Sequence, residues 1–185
     1  MLDFNKTILS EKVLLRPMVI EDFEGMKQLT KGREMWYFFT ADLSDEAVLK
    51  KWITTALSDH KSQKALPFTI LDPSSQKIIG TTRIGSISHE HRRLEIGWTW
   101  IAKDYQGTGI NGLMKQLLFE YIFSQTEILR IEFKTDILNI PARKGLEKAG
   151  LTKEGILRSH TLMTNNRRRD TVYYSILKEE WNKSR

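Results

Sequence analysis

The chain has 185 residues, of which 40% are hydrophobic and 28% charged, and it contains no cysteine. This length fits one domain over residues 1–185, and the composition is that of an ordinary globular protein. Without cysteine the chain has no disulfides, no thiolate metal sites and no cysteine nucleophile. No apolar run approaches the roughly 18 residues that cross a bilayer, and the first residues do not read as a signal peptide. We therefore expect a cytoplasmic protein that makes no membrane contact.

The formal net charge of +6 suits a nucleic acid or a small polyanion. The densest basic run is Arg167–Arg169, which stands beside Asn165, Asn166 and Asp170 and is typical of a hairpin tip. A solvated turn explains this run, and contact with a phosphate or an acidic partner is the alternative. Few aromatic residues stand among these arginines, so the sequence does not favour a stacking platform for single-stranded nucleic acid.

In chain order, the N-terminal half predicts a strand, two helices and three strands. KVLLRP is a strand that ends at Pro17, and residues 20–31 have apolar positions at helical spacing. A second helix is expected to begin after Ser44, its predicted N-cap, and to end at about Ser58. The three strands are LPFTILD, KIIGTTRIGSIS and RRLEIGWTWI. Gly97, in the middle of the last strand, predicts a bulge or a close approach of another backbone.

The C-terminal half predicts a helix, a strand, a short helix and a hairpin. Residues 110–122 carry an apolar stripe at helical spacing, and ILRIEFKTD is a strand. Asn139 is the expected cap of a short helix that ends at Gly150, and GILRSHTLM and DTVYYSILK form the hairpin. The sequence therefore predicts an α/β (α+β) fold with a mixed, mostly antiparallel seven-stranded sheet flanked by about four helices.

The segment YQGTGINGL contains a G-x-G-x-x-G motif between the predicted strand and helix. The N-terminus of a helix has unpaired N–H groups and a positive potential, so residues 106–111 are suited to bind a phosphate. A tight turn that binds nothing is the alternative. A dinucleotide fold carries this motif in its first strand–helix–strand unit, whereas only about 75 residues follow it here. The predicted topology therefore argues against a nicotinamide cofactor.

Several segments, in the right order, resemble the GCN5-related N-acetyltransferase (GNAT) superfamily. Residues 106–111 resemble its Q/R-x-x-G-x-G/A motif, which holds the pyrophosphate of acetyl-coenzyme A (acetyl-CoA). The longer segment LEIGWTWIAKDYQGTGIN resembles the family's fourth strand together with this loop. VLLRP with IEDFEGM resembles the opening strand and helix, and FKTDILNIPARKGLEKAGLTKEGILR resembles the N-x-x-S segment. RRRDTVYYSILKEEW resembles the end of the ribosomal-protein branch, the RimJ/RimL-like group. The resemblance covers nearly the whole chain and implies a single GNAT-like domain.

The chain departs from the family's pattern at three positions. Asn111 stands at the last Gly/Ala of the loop motif, and Ala142 replaces the serine of N-x-x-S. Leu146 stands where many members carry a tyrosine that acts as general acid. Both common positions for a hydroxyl that protonates the thiolate are therefore empty.

The resemblance implies which residues bind the cofactor. The main chain of Trp98–Ile101 is expected to pair with the pantetheine arm as an added strand, with amides near the thioester oxygen. The expected cofactor-binding residues are Trp98, Thr99, Trp100, Ile101, Gln106, Gly107, Thr108, Gly109, Ile110, Asn111 and Asn139. Because Asn139 already serves as a helix cap, a purely structural role is its alternative.

The resemblance also implies a catalytic base. Glu95 lies eleven residues before Gln106, an offset at which relatives carry a catalytic glutamate. It would take the proton of the amine directly or through a water. The alternative is a surface ion pair with Arg93 or Arg83.

For the acid we consider Tyr173 and Tyr174, which alternation along a strand places on opposite faces. Tyr174 is the predicted acid, and water is the alternative. The aromatic residues of REMWYFFT predict the acceptor pocket, with Trp36, Tyr37 and Phe38 as its substrate-binding residues; packing in the core is the alternative.

The expected function is an acetyl-CoA-dependent N-acetyltransferase that acts on a primary amine, either a protein N-terminal α-amine or a small amine. Acetyl-CoA supplies the activated acyl group, so no metal is required. The alternatives are a non-catalytic acyl-CoA-binding or sensing module and, less favoured, a nucleic-acid-binding protein. The sequence does not identify the acceptor, nor does it distinguish a monomer from a homodimer.

Overall fold

The structure is a computed structural model that describes residues 1–164 and 166–183. Within these residues the chain forms eight strands and five α-helices. The strands are β1 (Ile8–Leu9), β2 (Leu14–Pro17), β3 (Leu66–Leu71), β4 (Ile78–Ser88), β5 (Arg93–Ile101), β6 (Arg130–Asp136), β7 (Thr152–Leu162) and β8 (Arg168–Leu177). The helices are α1 (Asp22–Leu29), α2 (Glu46–Lys61), α3 (Ile110–Gln125), α4 (Ile140–Lys148) and α5 (Lys178–Lys183). One sheet contains all eight strands in the order β1-β2-β3-β4-β5-β6-β8-β7, which confirms the predicted mixed class.

Three details differ from the prediction. The strand β1 has two residues and the helix α5 has six, too few for a periodic pattern to reveal either. The N-cap of α2 is Asp45 instead of Ser44, because the Asp45 carboxylate accepts from the N–H groups of Ala47 and Val48. Both residue types are good caps, so the sequence alone does not distinguish neighbouring positions.

The sheet opens between its two central strands. Every neighbouring pair is antiparallel except β5 and β6. Their parallel pairing ends where Glu95 lies beside Glu132, although β5 continues to Ile101 and β6 to Asp136. The strands therefore separate beyond this point. We call the opening between residues 97–101 and 133–136 the wedge.

A bulge shapes the β5 side of the wedge. Arg83 pairs with Gly97 and Thr81 pairs with Trp100, so β5 contains one more residue than β4 between these pairs. Trp98 lies within the bulge and adopts a left-handed φ of +51°. The bulge predicted at Gly97 is confirmed.

Helices cover both faces of the sheet. On one face, Leu94 and Ile96 of β5 belong to the same core as Met114 and Leu118 of α3. A second core around Trp100 joins β5 to α1 and α2 on the other face. Because side chains alternate along a strand, Glu95 points away from α3, toward this second face. None of the helices in the described residues has the length and apolar character that a membrane span needs.

Candidate active site

The loop after β5 leaves its main chain accessible. Gly107 and Gly109 adopt φ of +76° and +88°, the left-handed region that favours glycine. A Cβ added at Gly107, Gly109 or Gly112 would meet no atom within 4 Å. The glycines thus permit the turn and leave open space in front of the loop.

Helix α3 begins without a side-chain cap. Asp45 caps α2 and Asn139 caps α4, whereas the N-cap of α3 is Gly109, which has no side chain to accept a hydrogen bond. Among the described residues, the main-chain N–H groups of residues 107–112 find no acceptor. Unpaired donors at the positive end of a helix dipole are suited to bind an anion.

One side chain holds this loop against β5, and a second stabilises the turn itself. The Gln106 amide donates from Nε2 to the carbonyl of Ile101 at 2.9 Å. The Thr108 hydroxyl donates to the carbonyl of Tyr105 at 2.7 Å. Gln106 therefore connects the loop to the end of the strand that forms one side of the wedge.

Lys115 is a residue of this region that the sequence analysis missed. It is 6% exposed, and its Nζ donates to Oδ1 of Asn111 at 2.5 Å. Burial lowers the pKa of Lys115 to about 8. The sequence feature that could have pointed to Lys115 is its place next to Met114, on the edge of the apolar stripe of α3.

The β5 side of the wedge offers main chain more than side chains. Within the described part of the chain, no strand pairs with the β6-facing edge of β5 beyond Glu95. The ring of Trp100 is buried edge-on against Trp36 at 6.0 Å, and the Thr99 hydroxyl shares a hydrogen bond with that of Thr82 at 2.8 Å. Trp98 is 37% exposed. The free edge is therefore suited to pair with an extended ligand, as an added strand would.

Glu95 lies at the closed end of the wedge and is 8% exposed. Its Oε2 accepts from the Lys134 ammonium at 2.7 Å and from the Ser86 hydroxyl at 3.0 Å. Its Oε1 lies over Gly97, where an added Cβ would be 3.4 Å from it. One carboxylate oxygen is thus held by two donors, and no described residue donates a hydrogen bond to the other.

The partner of Glu95 differs from the pairs considered from the sequence. Arg93 binds Glu132 at 3.2 Å, and Arg83 lies 3.8 Å from Asp59. Burial lowers the pKa of Lys134, but the hydrogen bond and charge of Glu95 outweigh it, so that pKa is raised overall. Lys134 is therefore a cation at neutral pH.

The two predicted catalytic residues are not brought together. Tyr174 pairs with Phe133 and Tyr173 with Lys134, so Tyr173 shares the face of Glu95 and Tyr174 has the opposite one. Tyr174 is completely buried, and its hydroxyl donates to Glu147 at 2.8 Å. These contacts are typical of a structural role, and the role of Tyr174 as the acid stays a prediction.

The residues of the aromatic segment differ in their burial and contacts. Trp36 is 1% exposed and donates to the carbonyl of Thr30 at 3.0 Å, which matches the core alternative. Tyr37 is 44% exposed, and the guanidinium of Arg167 lies 4.8 Å from the centre of its ring. Phe38 packs edge-on against Tyr37 at 5.0 Å. The binding of an acceptor by Tyr37 and Phe38 stays a prediction.

The basic run is not simply a solvated turn. Arg167 binds the buried Asp136 at 2.5 Å, which links the hairpin to the end of β6. Arg168 and Arg169 are the first residues of β8. Asn165 of the predicted tip lies outside the described residues.

The cap predicted for α4 is confirmed, because Oδ1 of Asn139 accepts from the N–H of Ala142 at 3.2 Å. Its contact with a cofactor stays a prediction. A cavity of about 320 Å³ lies at the other end of β5, lined by Leu2, His89 and Ile128 among others. It is remote from the wedge and is not part of this site.

Comparison with known proteins agrees with the geometry. The family model of the acetyltransferase (GNAT) domain matches residues 12–152, and the chain belongs to this family. An uncharacterized N-acetyltransferase of Bacillus licheniformis, p20, is 28% identical over 177 residues, which cover 95% of this chain and 98% of p20. YdaF of Bacillus subtilis, named "Putative ribosomal N-acetyltransferase YdaF", is 27% identical over 181 residues, covering 93% and 94% of the two chains.

A solved structure shows the same fold. A GCN5-related N-acetyltransferase from Brucella melitensis superimposes with a TM-score of 0.87 at 23% identity, covering 96% of this chain and 81% of that one. The chain is thus a GNAT-type acyltransferase, and the predicted likeness to the ribosomal-protein branch is confirmed by YdaF.

Proposed function

We propose that the chain is an acetyl-CoA-dependent N-acetyltransferase whose acceptor is a primary amine, either a protein N-terminal α-amine or a small amine. The observation that carries this proposal is the uncapped N-terminus of α3, which follows the free edge of β5. The free N–H groups of residues 107–112 would bind a pyrophosphate. The main-chain edge of Trp98–Ile101 would hold the pantetheine arm, with amides directed at the thioester oxygen.

Acetyl-CoA, when bound, supplies an activated acyl group, so the transfer needs no metal. The chain's own task is to position a neutral amine and to accept its proton. Oε2 of Glu95 is held by Lys134 and Ser86, and Oε1 is the oxygen left to take that proton, directly or through a water. Water protonates the departing thiolate, so no hydroxyl is required where Ala142 and Leu146 stand.

The test is thiol release from acetyl-CoA across a panel of primary amines, with the wild type and Glu95→Gln. We expect Glu95→Gln to reduce kcat by about 10²- to 10⁴-fold, the usual contribution of a general base. The dissociation constant for acetyl-CoA should change less than about twofold, since Glu95 is not in the phosphate loop.

The matched control is Glu132→Gln. Glu132 lies beside Glu95 in the sheet, on the same face, but it is bound to Arg93 and Arg130. Its substitution should leave kcat within a few-fold of the wild type. Full turnover by Glu95→Gln across the pH range would overturn the role of Glu95. Binding of acetyl-CoA without turnover on any amine would instead support a sensing module.

A further inference from the structure

Arg83 of β4 is a buried charge that the proposed mechanism does not use. It is 4% exposed. Its guanidinium carbon lies 4.9 Å from the centre of the Trp52 ring and 5.1 Å from that of Trp98. The negative faces of indole rings attract a cation at these distances. Arg83 is thus held between a helix, α2, and the bulge of β5.

The hydrogen bonding of this guanidinium is incomplete. Its Nη1 lies 3.8 Å from Oδ2 of Asp59, too far for a hydrogen bond. Its Nε and Nη2 are buried, and no described residue accepts a hydrogen bond from them. Burial lowers the pKa of Arg83 to about 10, and Asp59 offsets this only in part, so the group is charged at neutral pH. A buried cation with unused donors lacks a partner that a ligand would supply.

Arg83 lies close to the proposed base. It pairs with Gly97 while Gly85 pairs with Glu95, so Arg83 and Glu95 are diagonal neighbours on one face of the sheet. The Cα atoms of such neighbours lie about 7–8 Å apart. A small molecule or a short peptide can therefore span both side chains.

Trp98 covers this position from the solvent side. Its ring lies over Gly85, where an added Cβ would be 2.9 Å from the ring, and it is 37% exposed. A turn of this partly exposed ring away from Arg83 would uncover the guanidinium, which lies on the face that carries Glu95. Nε and one Nη of a guanidinium form two parallel hydrogen bonds with a planar carboxylate.

We propose that Arg83, with Trp52 and Trp98, forms a carboxylate-binding subsite for the acceptor, so that the preferred acceptor carries a carboxylate as well as its primary amine. The carboxylate binds Nε and Nη2 of Arg83 while the amine reaches Glu95. This inference rests on the proposed acetyltransferase function. An acidic peptide N-terminus is the acceptor class that fits, because its amine and its first carboxylates are a few bonds apart.

The test compares C-terminally amidated Ala-Glu with amidated Ala-Gln as acceptors, which differ only in the carboxylate. We expect the wild type to show a KM about tenfold lower for the acidic peptide, the value of one charged bidentate contact. Arg83→Met should abolish this preference while the affinity for acetyl-CoA stays unchanged. Arg83→Lys retains the positive charge but cannot donate two parallel hydrogen bonds to a carboxylate. This variant should keep only part of the preference for the acidic peptide. Arg93→Met is the matched control and should keep the preference for the acidic peptide, because Arg93 lies on the same face of the sheet but is bound to Glu132.

A second readout does not depend on turnover. The Nε–H resonance of Arg83, assigned by its loss in Arg83→Met, should shift when N-acetyl-Ala-Glu-amide is added and stay fixed with the Gln counterpart. Equal KM values for the two peptides, or a resonance that moves with neither, would overturn the inference. A resonance that responds to inorganic phosphate but not to the carboxylate would also contradict it. Carboxylate binding without acetylation of any amine would support the subsite and contradict the proposed function.

Discussion

Asp22 and Arg83 are buried charges on the same face of the sheet, and they differ in how fully the protein satisfies them. Asp22 accepts from Arg16 at 2.5 and 2.9 Å, from the Thr69 hydroxyl at 2.5 Å and from the N–H of Val19 at 3.0 Å. Arg83 has two buried nitrogen atoms, Nε and Nη2, that find no acceptor among the described residues. The first arrangement connects α1 to β2 and β3, whereas the second borders the proposed acceptor site.

The N-termini of the helices show the same contrast. Asp45 closes the start of α2, while Gly109 leaves the donors of α3 exposed. Asp22 and Asp45 are thus used for folding, whereas Arg83 and the N-terminus of α3 keep donors that a ligand could use. A region that binds ligands in this way gives up stability that its own side chains would supply.

The largest change in the free energy of unfolding should come from substituting Asp22, whose hydrogen bonds are complete. Asp22→Asn should lower the free energy of unfolding by about 3–5 kcal/mol, because it breaks a buried ion pair. Urea denaturation at pH 7 measures this change. Burial raises the pKa of Asp22, but the hydrogen bonds of Arg16, Thr69 and Val19 outweigh it, so that pKa is lowered overall. The higher free energy of unfolding of the wild type is therefore fully present above the pKa that Asp22 has in the unfolded chain. It is lost as the pH falls through the pKa that Asp22 has in the folded protein.

The affinity of folded Asp22→Asn for acetyl-CoA should equal that of the wild type, since Asp22 binds Thr69 of β3, two strands away from the β5 edge of the wedge. An unchanged free energy of unfolding together with weakened acetyl-CoA binding would reverse the contrast between the two regions.

Lys115 tests the cost of a poorly compensated charge beside the phosphate loop. The lowering of its pKa from 10.5 to about 8 corresponds to at most about 3 kcal/mol. Lys115→Met should therefore raise the free energy of unfolding at pH 7. The unfolded chain binds more protons between pH 8 and 10.5, so the wild type should gain stability over this range and the variant should lose its advantage. Denaturation of both proteins at pH 7 and pH 10 gives the comparison, and a difference that does not vary with pH would contradict it.

Two glycine substitutions should give the smallest changes in the free energy of unfolding, and these two changes should have opposite signs. Gly109→Ala forces a Cβ into a left-handed φ of +88° and should destabilise the fold by about 1 kcal/mol. It should also weaken acetyl-CoA binding about tenfold by disturbing charged hydrogen bonds. Gly145→Ala, inside α4 with open space around it, should stabilise by about 0.5–1 kcal/mol and leave binding unchanged. Thermal unfolding and calorimetry report both quantities, and equal behaviour of the two variants would contradict the special role of Gly109.

Local patterns predicted much of this molecule. The stripe of α3, the cap at Asn139 and the bulge at Gly97 each depend on residues close together in the chain, and each is confirmed. The motif of residues 106–111 likewise predicted a loop between a strand and a helix, where the structure has the end of β5 and the start of α3.

The features of the site that the sequence did not predict depend on contacts between distant segments. The face of Tyr174 is set by its register with Phe133, and the partner of Glu95 comes from another strand. Arg83 lies between Trp52 and Trp98, which only the packing of α2 on the sheet brings together. Sequence spacing alone contains no register between strands, so these relations could not be read from it.

The most direct test of the phosphate-binding loop is calorimetry with coenzyme A, 3′-dephospho-coenzyme A and pantetheine. Coenzyme A and its dephospho form both carry the pyrophosphate, and pantetheine lacks it. If the free amides of residues 107–112 bind that pyrophosphate, the first two should bind with similar affinity and pantetheine about 100-fold more weakly or not at all. Pantetheine binding as tightly as coenzyme A, or no heat with any of the three, would contradict the account.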